Sequence, residues 1–140
     1  MNLYKTLCIL LITGISLHVI NALGATPVEQ WRQGLSCAQL TAYEGSVINS
    51  NSTLTVVSLC VNGRYWYNKE GSWSVPGTAG GASNSTITGH WDIRQNGPMV
   101  LLVYSADDGE KGAFPINLQN DGRVNIGGTA FAVEQGAAGR

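Results

Sequence analysis

The segment "ITGHWDIRQ" contains three polar side chains that could do chemistry: His90, Asp92 and Arg94. They alternate with apolar residues. Residues two apart on a β-strand point to the same side, so these side chains would form one polar row. A histidine in such a row could serve as a general base or as a pH-sensitive contact. No G-x-S-x-G motif and no paired carboxylates accompany it, so the pattern favours a solvated or binding face over catalysis.

A second candidate group is aromatic and lies in the segment "LCVNGRYWYNKEGSW". A two-residue turn at Asn62-Gly63 predicts that Leu59 pairs with Trp66 and that Cys60 pairs with Tyr65. The rings then fall on both faces of the sheet, as they do in ordinary cross-strand packing.

Some of these rings are candidates for binding. In the predicted register Trp66 shares a face with Leu59 and Val57, while Tyr67 lies on the opposite face. Trp66, Tyr67 and Trp73 at a mouth or an edge of the sheet could stack against a sugar ring or a partner's side chain.

The elements that position these groups are predicted to be short strands. Asn-Gly and Asp-Gly dipeptides recur between runs rich in Val, Ile, Thr and aromatic residues, and they favour tight hairpins. We therefore expect an all-β fold, a small antiparallel meander of eight or nine strands that forms a closed or nearly closed barrel, with a β-sandwich as the alternative. The predicted strands are 36–43, 53–61, 64–68, 72–75, 86–95, 99–105, 112–119, 123–126 and 129–134.

One helix and one long loop complete this prediction. Thr26 is a candidate N-cap, and Pro27 suits the first position of a short helix near residues 28–33 that would end at Gly34. The glycine- and serine-rich stretch 76–85 is predicted to be a flexible surface loop. The predicted organisation is a signal peptide (1–25), an N-terminal segment (26–35), a β domain (36–134) and a flexible tail (135–140).

The N-terminus predicts export. Lys5, an apolar run from Leu7 to about Ile20 and small residues near Gly24 and Ala25 have the layout of a cleaved secretory signal peptide. The protein would then be secreted or periplasmic, without stable membrane insertion after cleavage. The "NST" sequons at Asn51 and Asn84 matter only in a eukaryotic source.

The cysteine content and the charge exclude several classes of function. After cleavage Cys37 and Cys60 remain, and in an oxidising compartment they are predicted to form one disulfide. Neither a metal site nor a cofactor is predicted. With eight basic and nine acidic residues and a net charge of −1, the chain lacks the basic surface that nucleic-acid or anionic-membrane binding requires.

Several motifs occur in a recognisable order. The strand "LCVNGRYWY" is followed by a G-x-W strand, "GHW", then by "MVLLVY" and by a final pair around "DGRVNIGG". Over residues 35–133 this order resembles small uncharacterised secreted bacterial all-β domains with an L-C-x-x-G-x-aromatic, G-x-W and "inG" pattern. The resemblance implies a small all-β fold and assigns no activity and no functional residue. The G-x-W element also occurs in lipocalin and avidin barrels, which is an analogy of architecture.

We therefore expect an exported, non-catalytic binding protein. Its predicted partner is a protein or glycan of the cell envelope or exterior, as for an inhibitor or immunity protein that acts on a wall-degrading enzyme. The alternative is a small-ligand carrier. Bulky side chains usually fill small barrels, so a cavity lined by Trp91, Tyr104 and Phe114 would favour that alternative. A hydrolase that uses His90 is the third hypothesis.

Overall fold

The chain folds as a closed antiparallel β-barrel. The computed structural model describes residues 24–46, 51–75 and 79–138, and in this part of the chain each of eight strands pairs with the next, while β8 pairs with β1. The predicted all-β meander barrel is confirmed, and the β-sandwich alternative is wrong. The predicted signal peptide lies almost wholly outside the described residues. The strands are β1 (Ala38–Ser46), β2 (Asn51–Leu59), β3 (Arg64–Val75), β4 (Ala79–Asn96), β5 (Met99–Ala106), β6 (Lys111–Leu118), β7 (Val124–Ile126) and β8 (Thr129–Gln135).

In the described residues that precede the barrel, one helix, α1 (Pro27–Leu35), covers an end of the barrel. Thr26 is the N-cap, as predicted, and forms a capping box: Thr26 Oγ1 accepts a hydrogen bond from the Glu29 amide, and the Glu29 carboxylate accepts one from the Thr26 amide. Leu35 is buried in the barrel core, so we call this end the closed end. The helix continues one residue past Gly34, and the turn that follows has a positive φ of 62° at Cys37.

The core is formed by the inward faces of the strands. On β4 the predicted alternation is confirmed, since Gly89, Trp91 and Ile93 are buried while His90 and Arg94 are exposed. Leu40, Leu59 and Ile93 have almost no exposed surface, and they pack with Leu35 at the closed end. None of the helices in the described ranges is long and apolar enough to span a membrane.

The β2–β3 register differs by one residue from the prediction. Tyr65 pairs with Leu59, and Trp66 pairs with Ser58. The turn has three loop residues instead of two, because Gly63 donates to the Cys60 carbonyl, has a φ of 80° and forms a bulge. A one-residue shift moves every side chain to the other face of the sheet. Tyr65 and Tyr67 therefore point into the barrel, and Trp66 points outward.

The β3–β4 hairpin is longer than predicted. The two strands expected at 64–68 and 72–75 form one strand, and residues Ala79–Ser85, expected to lie in a flexible loop, pair with β3. Small polar residues with little side-chain packing have low strand propensity, which is why the sequence pattern suggested a loop. Backbone pairing with β3 supplies the missing order. Residues 76–78 lie outside the described part.

The C-terminal segment packs against the closed end. β8 runs through Gln135, whose side chain donates to the Gly34 carbonyl at 3.0 Å. Ala137 is buried, and the Ala138 amide donates to the Cys37 carbonyl at 3.3 Å. Residues 135–138, assigned from the sequence to the tail, thus contact the helix and the start of β1.

Candidate functional site

The polar row of β4 lies on the outer surface of the barrel. His90 is exposed, and its Nδ1 lies 3.3 Å from a guanidinium nitrogen of Arg64 on β3. Arg64 makes a two-point contact with Asp107 at 2.9 and 2.6 Å. Thr88 donates a further hydrogen bond to Asp107 at 2.6 Å.

The charged contact beside His90 is the pair Arg64–Asp107. The hydrogen bonds from Arg64 and Thr88 hold the pKa of the Asp107 carboxyl well below its usual range, so Asp107 stays ionised and bound to Arg64. The His90 ring lies beside the Arg64 guanidinium, whose other contact is the Asp107 carboxylate. The contacts serve to join β3, β4 and the β5–β6 turn.

Asp92, the next residue in the row, holds the helix on the barrel. Arg32 of α1 donates to Asp92 Oδ1 at 2.9 and 3.1 Å and also to the Ile93 carbonyl at 3.2 Å. Partial burial opposes ionisation of Asp92. The hydrogen bonds from the Ile93 amide and from Arg32 outweigh it and lower the pKa of Asp92. Asp92 is therefore engaged within the fold, and Arg94 is an exposed neighbour.

The three aromatic residues proposed as binding candidates do not lie on one surface of the barrel. Trp66 is 45% exposed on the outer face of β3. Tyr67 points inward and lines the barrel interior. The backbone of Trp73 pairs with Gly81, and its side chain lies outside the described part of the structure. The three residues therefore do not form one stacking platform.

The barrel interior contains a cavity of about 390 Å³. Its deep part, toward the closed end, is apolar and includes Leu40, Leu59 and Trp91. The indole nitrogen of Trp91 donates to the Cys60 carbonyl at 3.0 Å, so the polar atom of this ring is satisfied by the backbone. Trp91, Tyr104 and Phe114 all line the cavity.

Three aromatic rings of the cavity wall lie across glycines of the neighbouring strand or turn. A Cβ at Gly89 would come within 2.7 Å of the Tyr65 ring, and one at Gly112 within 2.6 Å of the Tyr104 ring. A Cβ at Gly127 would come within 2.6 Å of the Phe114 ring. Aromatic rings often cover strand glycines in this way. The three pairs are Tyr65–Gly89, Tyr104–Gly112 and Phe114–Gly127.

The other end of the cavity, which we call the open end, carries its polar groups. It is flanked by the β5–β6 turn (residues 107–110) and the β7–β8 turn (residues 127–128). The ionisable residues there are Glu44, Lys69 and Glu110. The Tyr104 hydroxyl donates to the Glu110 carboxylate at 3.0 Å. Burial, followed by the bond to Glu110, raises the pKa of Tyr104.

A second depression, of about 500 Å³, lies beside α1 at the closed end. It is a more open groove between the helix and strands β6 to β8, and its lining includes Trp31, Leu118 and Val133 but no charged side chain. Of these two depressions, the barrel interior is therefore the one with charged side chains that could orient a ligand.

The sequence pattern missed the cavity-lining role of Tyr65. The signal that could have found it is the position of glycines within strands, since Gly89 and Gly112 interrupt otherwise regular strand patterns. An aromatic residue on the adjacent strand then has space to lie flat. The two-residue turn assumed at Asn62-Gly63 concealed the pairing of Tyr65 with Gly89.

Cys37 and Cys60 are free thiols in this structure, so the predicted disulfide is not formed in it. Among the described residues, no group of three or more His, Cys, Asp or Glu side chains is placed to hold a metal ion.

Three comparisons with known proteins, against family models, curated proteins and solved structures, find no match to this chain.

Proposed function

We propose that the protein binds a small, largely apolar molecule inside the barrel, without catalysis. The observation that carries this proposal is the cavity of about 390 Å³ lined by aromatic side chains. Small-molecule sites are typically concave, preformed and mainly apolar with a few polar groups, and their volumes are roughly 300–1,000 Å³. The cavity favours the small-ligand carrier over the envelope-binding protein that the sequence pattern favours.

The packing of aromatic rings in the barrel wall supports this function. Bulky side chains usually fill the interior of an eight-stranded barrel. Here, Tyr65 and Tyr104 lie flat against Gly89 and Gly112, so the rings cover the wall instead of crossing the interior. The rings meet edge to face, with centroids 6.3 Å apart and an interplanar angle of 88°.

Native mass spectrometry tests the proposal with a matched pair of variants. Val57 lines the cavity, whereas its neighbour Val56 points outward on the same strand. Protein purified from its own cells should carry a small-molecule mass that is lost on denaturation. Val57→Phe, which fills the cavity, should lose that mass, and Val56→Phe should keep it. A bound mass that both variants retain, or protein without any bound molecule, would count against the proposal.

We also propose that the chain is exported and that Cys37 and Cys60 become oxidised outside the cytosol. The support for export is the signal-like pattern of residues 1–25. Ala38 pairs with Leu59 at the end of the β1–β2 ladder, and Cys37 and Cys60 lie just beyond this pair on the two chains. Cys37 has a φ of 62° there and its thiol donates to the Ala138 carbonyl at 4.0 Å, so the bond would form after the Cys37 side chain turns toward Cys60.

Oxidation of these thiols requires a partner disulfide. Two S–H bonds are broken and one S–S bond forms, while two electrons and two protons reduce the partner disulfide to two thiols. The bond would tie the α1–β1 junction to the β2–β3 turn. It would thereby fix the closed end of the barrel.

A second candidate function is recognition of a protein or glycan of the cell envelope or exterior, as by an inhibitor or immunity protein. The observation that favours it is an apolar strip on the outer face of β1–β3, where Tyr43 is 70% and Trp66 45% exposed, with Leu54 and Val56 half-buried between them. Exposed aromatic residues are common anchors of interfaces. Trp66→Ala should abolish co-purification of such a partner, whereas Val57→Phe should not.

A further inference from the structure

One side of the open end combines aromatic faces with carboxylates. Tyr104 and Phe114 are stacked, with centroids 5.6 Å apart and an interplanar angle of 9°. The Glu110 carboxylate lies at the hydroxyl of Tyr104. The face of an aromatic ring carries partial negative charge and attracts cations, most strongly where water is excluded.

The carboxylates on this side are not all neutralised. Asp107 is bound by Arg64, but no cationic side chain of the described residues lies within ion-pair distance of Asp108 or Glu110. Asp108 accepts a hydrogen bond from the Glu110 amide at 3.0 Å. Burial, followed by Tyr104 and the carboxylates of Asp108 and Glu110, raises the pKa of Tyr65.

A second polar group faces the cavity at this place. The Tyr65 side chain is only 6% exposed and lines the cavity. Its hydroxyl is not among the buried atoms that lack a partner, so it keeps some accessible surface. The oxygen of this hydroxyl can accept a hydrogen bond from a ligand N–H.

Lys69, on β3, is the one cationic side chain among the described residues that line the cavity, against the carboxylates of Glu44 and Glu110. Lys69 belongs to the β3 wall, whereas Glu110 is the last residue of the β5–β6 turn, beside Tyr104 and Phe114. The charge balance at the open end is therefore negative, and it is most negative on the β5–β6 side.

We propose that the ligand is a small ring-containing amine whose ammonium group binds at the open end, between the Glu110 carboxylate and the faces of Tyr104 and Phe114, with its apolar ring in the cavity. This inference rests on the proposed function, because it names the chemical class of the ligand for the same cavity. The ammonium N–H groups would donate to Glu110 and to the Tyr65 hydroxyl.

The test is a calorimetric titration of the purified protein with three probes that share one ring system. The probes are 2-naphthylmethylamine, which is protonated at pH 7, 2-naphthylmethanol, which is neutral, and 2-naphthoate, which is an anion. The amine should bind about tenfold more tightly than the alcohol, since a partly desolvated cation–π contact with a charge-assisted hydrogen bond contributes that much. The anion should bind most weakly.

Glu110→Gln gives the matched variant, because its amide oxygen can still accept the Tyr104 hydroxyl while the charge is removed. This variant should lose the preference for the amine and keep its affinity for the alcohol. Glu134→Gln, which removes an exposed carboxylate on β8 that does not line the cavity, should behave like the wild type.

The outcomes separate this inference from the proposed function. If the alcohol binds as tightly as the amine, or if the anion binds best and loses affinity in Lys69→Gln, the ligand is not an amine, although the cavity is still a binding site. If none of the three probes binds, both the inference and the proposed function are overturned.

Discussion

The ring of Tyr65 lies across Gly89 on the neighbouring strand, with its Cε1 atom 2.7 Å from where a Cβ of residue 89 would be. The Cα of Ala106 on β5 is equally close to that position. Gly89 therefore leaves a space that both the Tyr65 ring and the β5 backbone occupy. This contact sets the shape of the cavity wall, since Tyr65 in turn meets Tyr104 edge to face.

Gly89→Ala should destabilise the barrel by roughly 1–3 kcal/mol, because the added methyl group overpacks a site where backbone atoms cannot move away easily. Urea unfolding monitored by fluorescence measures this effect, and near-UV circular dichroism should report displacement of Tyr65. The matched control is Gly34→Ala in α1, where nothing lies within 4 Å of the new Cβ. That change should stabilise the protein by up to about 1 kcal/mol. Equal effects of the two substitutions would contradict the packing described.

The β2–β3 register predicts opposite sensitivities at two adjacent aromatic residues. Tyr65 is buried and Trp66 is 45% exposed, so Tyr65→Ala should reduce the free energy of unfolding by about 3 kcal/mol and Trp66→Ala by less than about 1 kcal/mol. Chemical denaturation of both variants gives the comparison. The reverse order would support the two-residue turn and the shifted register.

The contact between Arg32 and Asp92 should make the docking of α1 depend on pH. Because the pKa of Asp92 is lowered from its ordinary value of 3.8, its contribution to stability is complete above that value and is lost as the pH falls through the folded-state pKa. Both side chains are nearly half exposed, so Asp92→Asn should cost less than about 1 kcal/mol at pH 7.

Thermal unfolding at pH 7 and at pH 2 tests the direction of this pH dependence. The difference in melting temperature between the wild type and Asp92→Asn should be smaller at the lower pH. Glu134→Gln, whose carboxylate has no ion-pair partner among the described residues, is the control. A difference that grows on acidification would show that Asp92 acts in another way.

Oxidation of Cys37 and Cys60 should be visible in the intact mass. Protein isolated without reductant should lack two hydrogen atoms relative to reduced protein and should resist alkylation. Loss of the bond in Cys37→Ser should lower stability by about 2–4 kcal/mol under oxidising conditions and by much less in reductant. Two alkylated thiols in exported protein that is alkylated before any purification would refute the proposed bond.

The sequence predicts the fold better than the site, for identifiable physical reasons. The Asn-Gly and Asp-Gly dipeptides predict the hairpins of the meander, and the alternation around Trp91 predicts the inward face of β4. Both signals can be seen in the sequence because each depends only on residues close together in the chain. The register of β2–β3 depends on whether Gly63 forms part of a two- or a three-residue loop, and the dipeptide Asn-Gly suits both. That one choice decides whether Tyr65 or Trp66 faces the interior.

The cavity could not be derived from strand patterns. Its volume depends on rings lying across Gly89, Gly112 and Gly127, which are contacts between different strands. The order of Ala79–Ser85 likewise arises from pairing with β3 and not from its own composition. Asp92 and His90 were correctly assigned to one face, but their partners Arg32 and Arg64 come from other elements.

The most direct test of the central claim is a calorimetric titration of 2-naphthylmethanol into the wild type, Val57→Phe and Val56→Phe, with folding of each variant checked by circular dichroism. If the barrel interior is the binding site, the wild type and Val56→Phe bind the probe with similar affinity, and Val57→Phe, whose added ring occupies the cavity, binds at least about tenfold more weakly. Equal binding by a folded Val57→Phe, or no binding by the wild type, would contradict the claim.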